Sequence, residues 1–267
     1  RASPVVLMSP FTLTGSEKAG RTVAEKAGKA LKKTMLELGS NDAYLVLDDA
    51  DLELAVKTCV KGRLFNNGQT CVNAKRFIVT AKNYDAFVAA YATQIAQIRM
   101  GDPNDATTQL GPMVSKAQRD TLHEQVSKSV AQGARLVVGG EIPDRTGCFY
   151  PATVLADVAP GQVAYEDELF GPAAAIIKAK DDEDALRIAN DSRYGLGGGI
   201  FSRNVKRARE LATTYFDTGM VCINTFNVAS PALPFGGVKA SGSGREHGPE
   251  RLKEFVNLNS ITLPAAH

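Results

Sequence analysis

The chain has 267 residues, and its content of 44% hydrophobic and 22% charged residues is typical of a soluble globular protein rather than a disordered one. Its 31 basic and 29 acidic residues leave a net charge of +2 without a long run of one sign, so the charge suggests neither nucleic acid nor an anionic membrane as a partner. No apolar stretch approaches the ~18 residues of a membrane span, and we therefore expect a cytoplasmic protein without a membrane segment.

The first third of the chain predicts an alternation of strands and helices. The apolar spacing predicts strands at residues 5–8 and 34–38 and helices over residues 17–31 and 51–65. A turn at Gly15 and Ser16 separates the first strand from the first helix. Cys71 therefore follows a helix.

The alternation continues along the chain. Strands are predicted at residues 77–79, 136–138, 173–177, 199–201 and 220–223, and helices over 84–98, 116–132, 183–189 and 205–215. Residues 260–263 predict a further short β-forming segment. This repeated alternation predicts an α/β fold, with a mostly parallel sheet and helices on its faces.

Cys71 is a candidate nucleophile. It closes the sequence Phe65-Asn-Asn-Gly-Gln-Thr-Cys71, whose Asn, Gly and Gln residues favour a turn over a buried helix. A cysteine on such a turn is expected to be partly exposed with backbone N–H groups around its sulfur, which favours the thiolate. The other cysteines (Cys59, Cys148 and Cys222) have apolar or aromatic neighbours and are expected to be small buried hydrophobic residues. No cysteine pair has zinc-ligand spacing, so we expect no metal.

Three further motifs surround this candidate. Glu37 opens Glu37-Leu-Gly and is a candidate general base, although a glutamate near a strand end is more often a solvated charge. Glu168-Leu-Phe170-Gly-Pro would by itself be a loop before a strand. The glycine-rich segment 234–246 lacks a Gly-Lys-Ser/Thr sequence and follows no strand directly, so it is not a phosphate loop.

Together these motifs resemble the aldehyde dehydrogenase superfamily over essentially the whole chain, most closely the succinate-semialdehyde dehydrogenase group. The resemblance implies an NAD(P)-dependent oxidation of an aldehyde to a carboxylic acid. Cys71 would form the thiohemiacetal and then the thioester, with its backbone N–H and an asparagine amide holding the oxyanion. Glu37 would activate the water that hydrolyses the thioester.

The resemblance also assigns the binding residues. Gly15 and Ser16 would lie under the cofactor pyrophosphate at a helix N-terminus, a place where Ser is also a common N-cap. Glu168 would bind the nicotinamide ribose and Phe170 would pack beside the nicotinamide of NAD or NADP. Phe65 and Phe235 would contact the substrate.

Two positions depart from the family pattern. Ser40 stands where the family often has a second glycine, and Phe65 stands where many succinate-semialdehyde dehydrogenases carry an arginine. The favoured substrate is still a carboxylated aldehyde, with a broad aliphatic or aromatic aldehyde as the alternative.

Members of the family are longer than this chain, so the resemblance implies the C-terminal portion of the enzyme, expected to be inactive alone. Residues 1–38 would complete the Rossmann-like NAD(P)-binding domain, residues 39–238 would form the catalytic domain, and residues 239–267 would return to the cofactor domain and form an oligomerisation strand. A homo-oligomer, dimer or tetramer, is therefore implied.

Two other functions fit parts of the sequence. A non-catalytic structural or oligomer-forming homologue would keep the fold, but it would not need Cys71, Glu37 and Glu168 together. A Cys-His hydrolase would need His247 as the partner of Cys71, a geometry that the sequence alone leaves open.

Overall fold

The central feature of the fold is a seven-stranded sheet. The computed structural model describes residues 10–227, 229–256 and 259–264. The strands are β1 (Phe11–Thr14), β2 (Thr34–Glu37), β3 (Ala43–Val46), β4 (Arg76–Thr80), β5 (Arg135–Val138), β6 (Thr153–Ala156), β7 (Ala173–Ala179), β8 (Tyr194–Gly195), β9 (Gly198–Phe201), β10 (Cys222–Ile223), β11 (Val238–Lys239) and β12 (Gly242–Ser243). The α-helices are α1 (Glu17–Lys29), α2 (Leu52–Leu64), α3 (Tyr84–Ala96), α4 (Lys116–Ala131), α5 (Val163–Glu166), α6 (Asp182–Asn190) and α7 (Val205–Glu210).

The large sheet has the strand order β10-β9-β3-β4-β7-β6-β5. All neighbouring strands in it are parallel except the pair β5 and β6. Alternate residues of β3 enter two apolar clusters on opposite faces, with Leu45 in one and Tyr44 and Val46 in the other. A parallel sheet with both faces buried is the arrangement expected of an α/β protein, and it confirms the predicted fold class.

A second, three-stranded sheet joins the two ends of the described chain. Strand β2 pairs in parallel with β1 and antiparallel with β12, so that Gly242 lies opposite Glu37. Residues from the proposed segments 1–38 and 239–267 thus share one sheet, while the seven-stranded sheet lies within residues 39–238. This pairing supports the proposed division into a cofactor part and a catalytic part.

Some predicted elements differ from the observed ones. Helix α5 and six strands were not predicted, namely β1, β3, β6, β8, β11 and β12. The predicted strand at residues 5–8 lies outside the described residues. The helix predicted over residues 205–215 changes to a π-helical turn at Leu211–Tyr215. Residues 260–263 form no strand within the described chain and are exposed, so their pairing with a neighbouring subunit stays a prediction.

Candidate active site

The turn that carries Cys71 is built from left-handed residues. Helix α2 ends at Leu64, and the next residues include Asn66 (φ 49°), Asn67 (φ 54°) and Gly68 (φ 73°). Asn and Gly are the residue types that adopt this conformation most readily, which explains why the segment turns instead of continuing the helix. The fold thereby confirms the predicted turn after the helix.

Asn73 fixes the other side of the turn. Its Oδ1 accepts hydrogen bonds from the Thr70 N–H and hydroxyl, both at 2.7 Å. Its Nδ2 donates to the carbonyls of Gly62 and Phe65 at 2.8 and 2.9 Å. Cys71 therefore lies on a segment that is tied to the end of helix α2.

Gly68 brings the cysteine turn against the Glu168 motif. A Cβ atom at this position would lie 2.2 Å from the carbonyl oxygen of Gly171. Both the positive φ and this close approach of two backbones require glycine.

We expect Gly68→Ala to lower the free energy of unfolding by about 3 kcal/mol, because the new methyl group meets backbone atoms in an unfavourable conformation. Denaturant unfolding of the full-length protein measures the effect. Gly28→Ala is the matched control, because Gly28 lies in helix α1 with no atom within 4 Å of an added Cβ, and it should be neutral or stabilising. Equal stability of the Gly68→Ala variant and the parent would contradict the close packing of the two motifs.

One cavity contains all the residues predicted to be catalytic or to bind the cofactor. It has a volume of about 640 Å³, and its walls include Gly15, Ser16, Glu37, Cys71, Glu168 and Phe170. These residues come from segments far apart in the chain, and the fold brings them together.

Glu37 lies at the end of β2 and is almost fully buried. Neither carboxylate oxygen has a hydrogen-bond partner within the described part of the chain. Burial raises the pKa of Glu37 to about 8; the Glu246 carboxylate raises this pKa further and Arg245 lowers it. The carboxyl group is therefore mostly protonated at neutral pH and becomes a base above pH 8.

Cys71 is half-buried, and burial raises the pKa of its thiol to about 11. The Lys75 ammonium lowers this pKa, and three carboxylates raise it, those of Asp42, Glu168 and Glu37. No hydrogen bond reaches its sulfur from the residues that the structure describes. The predicted preference for the thiolate is thus wrong for this conformation, because burial outweighs the nearby positive charge. A proton acceptor is needed before Cys71 can react.

Glu168 lies over Gly39 beside the cysteine turn. A Cβ atom at Gly39 would be 2.8 Å from Glu168 Oε2. The other oxygen, Oε1, lies 3.2 Å from Lys75 Nζ but outside hydrogen-bonding geometry, and it has no hydrogen bond to any described residue. Because Oε1 is buried against Lys75, Oε2 is the oxygen left to accept a hydrogen bond from a ligand in the cavity.

Ser16 combines the two roles considered for it. Its hydroxyl caps helix α1 by accepting a hydrogen bond from the Ala19 N–H at 3.3 Å. The helix N-terminus also borders the 640 Å³ cavity, where free N–H groups and the helix dipole favour an anion.

The two predicted substrate residues are separated. Phe235 lines a second cavity of about 120 Å³ together with Val72, the neighbour of Cys71. Phe65 borders neither cavity. Its backbone forms the C-cap of helix α2, and the centroid of its ring lies 6.1 Å from that of Phe226. Phe65 is 40% exposed, and its contact with a substrate stays a prediction.

His247 does not join the cysteine. Its ring packs on Phe235 with 5.6 Å between ring centroids, and it is not among the described residues around the Cys71 cavity. The Cys-His hydrolase geometry is therefore absent from the described part of the chain.

Sequence reasoning missed two polar residues of the site, Lys75 and Asn73. Lys75 follows Cys71 by four positions, lies immediately before β4 and is almost fully buried. Ser40 is fully buried as well; its hydroxyl donates to the Cys71 carbonyl and accepts from Lys75 Nζ at 2.8 Å. The departure from the family pattern at Ser40 thus supplies a hydrogen bond to the nucleophile turn. The only available signal was a polar run, Asn73-Ala-Lys75, ahead of an apolar strand.

Comparison with known proteins identifies the family. Residues 8–261 match the aldehyde dehydrogenase family. The chain belongs to this family. The succinate semialdehyde dehydrogenase [NAD(P)+] Sad of Escherichia coli (strain K12) is 48% identical over 254 residues, which are 95% of this chain and 55% of that aldehyde dehydrogenase. The chain spans about half the length of the curated relatives it matches.

Solved structures of aldehyde dehydrogenases have the same fold as this chain. The succinic semialdehyde dehydrogenase from Streptococcus pyogenes in complex with NADP+ has a TM-score of 0.92 and 42% identity, and the match covers 97% of this chain and 58% of that one. The Mycobacterium tuberculosis aldehyde dehydrogenase complexed with NAD+ has a TM-score of 0.92 and 39% identity, with coverage of 96% and 53%. Both results confirm the predicted resemblance and fold.

None of the helices within residues 10–227, 229–256 and 259–264 is long and apolar enough to cross a membrane. The same residues contain no group of three or more His, Cys, Asp or Glu side chains that could hold a metal ion.

Proposed function

We propose that this chain carries the nucleophile and the general base of an NAD(P)-dependent aldehyde dehydrogenase that oxidises an aldehyde to a carboxylic acid. The observation that supports this function is the convergence of Cys71, Glu37, Glu168 and Phe170 on one cavity. The activity is proposed for the full-length protein that contains this chain.

The cavity fits a nicotinamide dinucleotide. The N-terminus of helix α1 at Ser16 suits a pyrophosphate, and Glu168 Oε2, the carboxylate oxygen that does not face Lys75, suits a ribose hydroxyl. Gly39 leaves room above Glu168, where a side chain would collide. When bound, the cofactor supplies the hydride acceptor. The relatives include both NAD+ and NADP+ enzymes, and we propose NAD or NADP without a preference.

The residues of the chain would then act in two stages. The Cys71 thiol first loses its proton to solvent, and its sulfur then attacks the aldehyde carbon. The Cys71 backbone N–H, which makes no hydrogen bond to the described residues, is free to stabilise the oxyanion that forms. Loss of hydride leaves a thioester on Cys71. Glu37 takes a proton from the water that attacks this thioester, and the carboxylic acid leaves.

We propose succinate semialdehyde as the substrate, because the most similar relatives include succinate semialdehyde dehydrogenases. The 120 Å³ cavity beside Val72 offers the neutral polar groups of Asn227 and Ser230. No Lys, Arg or His lines either cavity among the residues described, and Asp42 adds a carboxylate to the 120 Å³ cavity, so a substrate carboxylate there would depend on the hydrogen-bond donors of Asn227 and Ser230.

The formation of reduced cofactor by the full-length protein tests this function. Succinate semialdehyde should have a kcat/KM more than about tenfold above that of butanal, a four-carbon aldehyde with a methyl group in place of the carboxylate. Equal values would overturn the proposed substrate. No turnover with either aldehyde, in folded protein that binds cofactor, would favour the non-catalytic homologue.

We expect turnover to rise with pH through a midpoint near 8. The Glu37 carboxyl must be ionised to accept a proton, and its pKa of about 8 leaves only about one tenth of it ionised at pH 7. The measurement is steady-state turnover at saturating aldehyde from about pH 6 to about pH 10. A flat profile, with hydrolysis of the thioester shown to limit turnover, would contradict the role of Glu37.

A further inference from the structure

A buried ammonium group connects the nucleophile turn with the cofactor side of the cavity. The Lys75 side chain is 1% exposed. Its Nζ donates to the Cys71 carbonyl at 2.7 Å and to Ser40 Oγ at 2.8 Å, and it lies 3.2 Å from Glu168 Oε1. The carbonyls of Thr70 and Asn73 lie further away, at 3.3 and 3.4 Å, and share the remaining N–H.

The hydrogen bonds alone do not need a charged residue. A neutral amide could donate to the Cys71 carbonyl and the Ser40 hydroxyl, and burial of an ammonium ion carries a large desolvation penalty. Acidic groups balance that penalty here, since Glu168 pairs with Lys75 and Asp42 lies nearby. Burial raises the pKa of Asp42 to about 6, and the Lys75 charge acts against this rise.

Acidic groups outnumber basic groups around the Cys71 thiol. The groups that bear on the Cys71 thiol are one ammonium, that of Lys75, and the carboxylates of Asp42, Glu168 and Glu37. Lys75 therefore offsets a negative surrounding that would otherwise oppose formation of the thiolate.

We propose that Lys75 is a positioning residue of the reaction, which holds the Glu168 carboxylate beside the Cys71 turn and places a positive charge behind the nucleophile. This inference rests on the proposed function for the role of Glu168 in cofactor binding. The effect of Lys75 on the reactivity of the Cys71 thiol can be measured without any turnover of aldehyde.

Alkylation of Cys71 tests the charge directly. Lys75→Gln removes the charge but keeps a hydrogen-bond donor, and Lys75→Met removes both. In the full-length protein at pH 8, the rate of Cys71 modification by iodoacetamide, followed by peptide mass spectrometry, should fall about tenfold in both variants. Cys148, which is half-buried in another part of the chain, is the internal control and should react at the parental rate.

Glu168→Gln gives a change of opposite sign. Removal of this carboxylate leaves the Lys75 charge unbalanced beside the turn, and Cys71 should react about threefold faster. Because the side chain of Glu168 is less buried than that of Lys75, this variant tests the proposal even if the Lys75 variants do not fold. An unchanged Cys71 rate in Glu168→Gln, or in folded Lys75→Gln, would overturn the proposal.

Cofactor titration tests the link through Glu168. When Lys75→Gln is made in the otherwise unchanged protein, it should weaken the binding of NAD+ or NADP+ by about fivefold. When it is added to Glu168→Gln, the affinity should not fall further. Equal losses in both backgrounds would overturn the link. If these results appear as expected but no aldehyde is oxidised, the proposed function fails while the role of Lys75 stands.

Discussion

Cys71→Ala is expected to lower aldehyde oxidation by the full-length protein by at least about 10⁴-fold, because no covalent intermediate can form without the thiol. The affinity for NAD(P) should stay nearly unchanged, since the variant keeps Glu168 and the N-terminus of helix α1, both of which border the cavity. Steady-state turnover and cofactor titration measure the two quantities.

Cys148→Ala is the matched control for this experiment. Cys148 is a free, half-buried cysteine that does not border the described cavity, so its loss should change turnover by less than about twofold. Substantial turnover in folded Cys71→Ala would show that another group attacks the aldehyde.

Glu37→Gln is expected to separate the two stages of the reaction. Glutamine has nearly the same shape but cannot accept a proton, so thioester hydrolysis should slow by about 10²- to 10⁴-fold. A burst of reduced cofactor, close to one equivalent per active site, should still appear on rapid mixing with aldehyde.

The rate of the burst also shows which group takes the proton of the Cys71 thiol, because the raised pKa of Cys71 keeps this thiol protonated at neutral pH. If Glu37 also takes the proton of the thiol, the burst will slow in step with turnover, and the carboxylate acts before hydride transfer. Glu124→Gln, at an exposed ion pair with Lys128 on helix α4, is the control and should retain both phases.

The cysteine turn could be predicted because its information is local. Asn66, Asn67 and Gly68 are residue types that accept a left-handed backbone, and they follow a helix with a clear apolar spacing. The same holds for helix α1, whose start is marked by the capping residue Ser16.

Strand β3 was missed although its sequence carries a local signal. Ala43–Val46 is an apolar run between Asp42 and Asp48, which is the pattern of a strand buried on both faces. The run does not show that the strand is central, because this depends on pairing with β4 and β9, which lie further along the chain. Its burial on both faces comes from helices that lie elsewhere in the chain.

The chemistry of the site was only partly readable from the sequence. The motifs named Cys71, Glu37 and Glu168, but the ionisation of Cys71 depends on burial by the cavity walls and on Lys75. A buried lysine has no sequence signature, because its environment is set by Ser40 and by the distant Glu168. The substrate contact predicted for Phe65 stays a prediction, since its ring packs 6.1 Å from that of Phe226 but is 40% exposed.

Covalent trapping of Cys71 tests the central claim most directly. Full-length Glu37→Gln protein is mixed with succinate semialdehyde and NAD(P)+, quenched in acid after the burst, and digested for peptide mass spectrometry. We predict that the peptide containing Cys71 carries a succinyl thioester, which forms only when cofactor is present. Formation of reduced cofactor while Cys71 remains unmodified, or an acyl group on another residue, would contradict the assignment of Cys71 as the nucleophile.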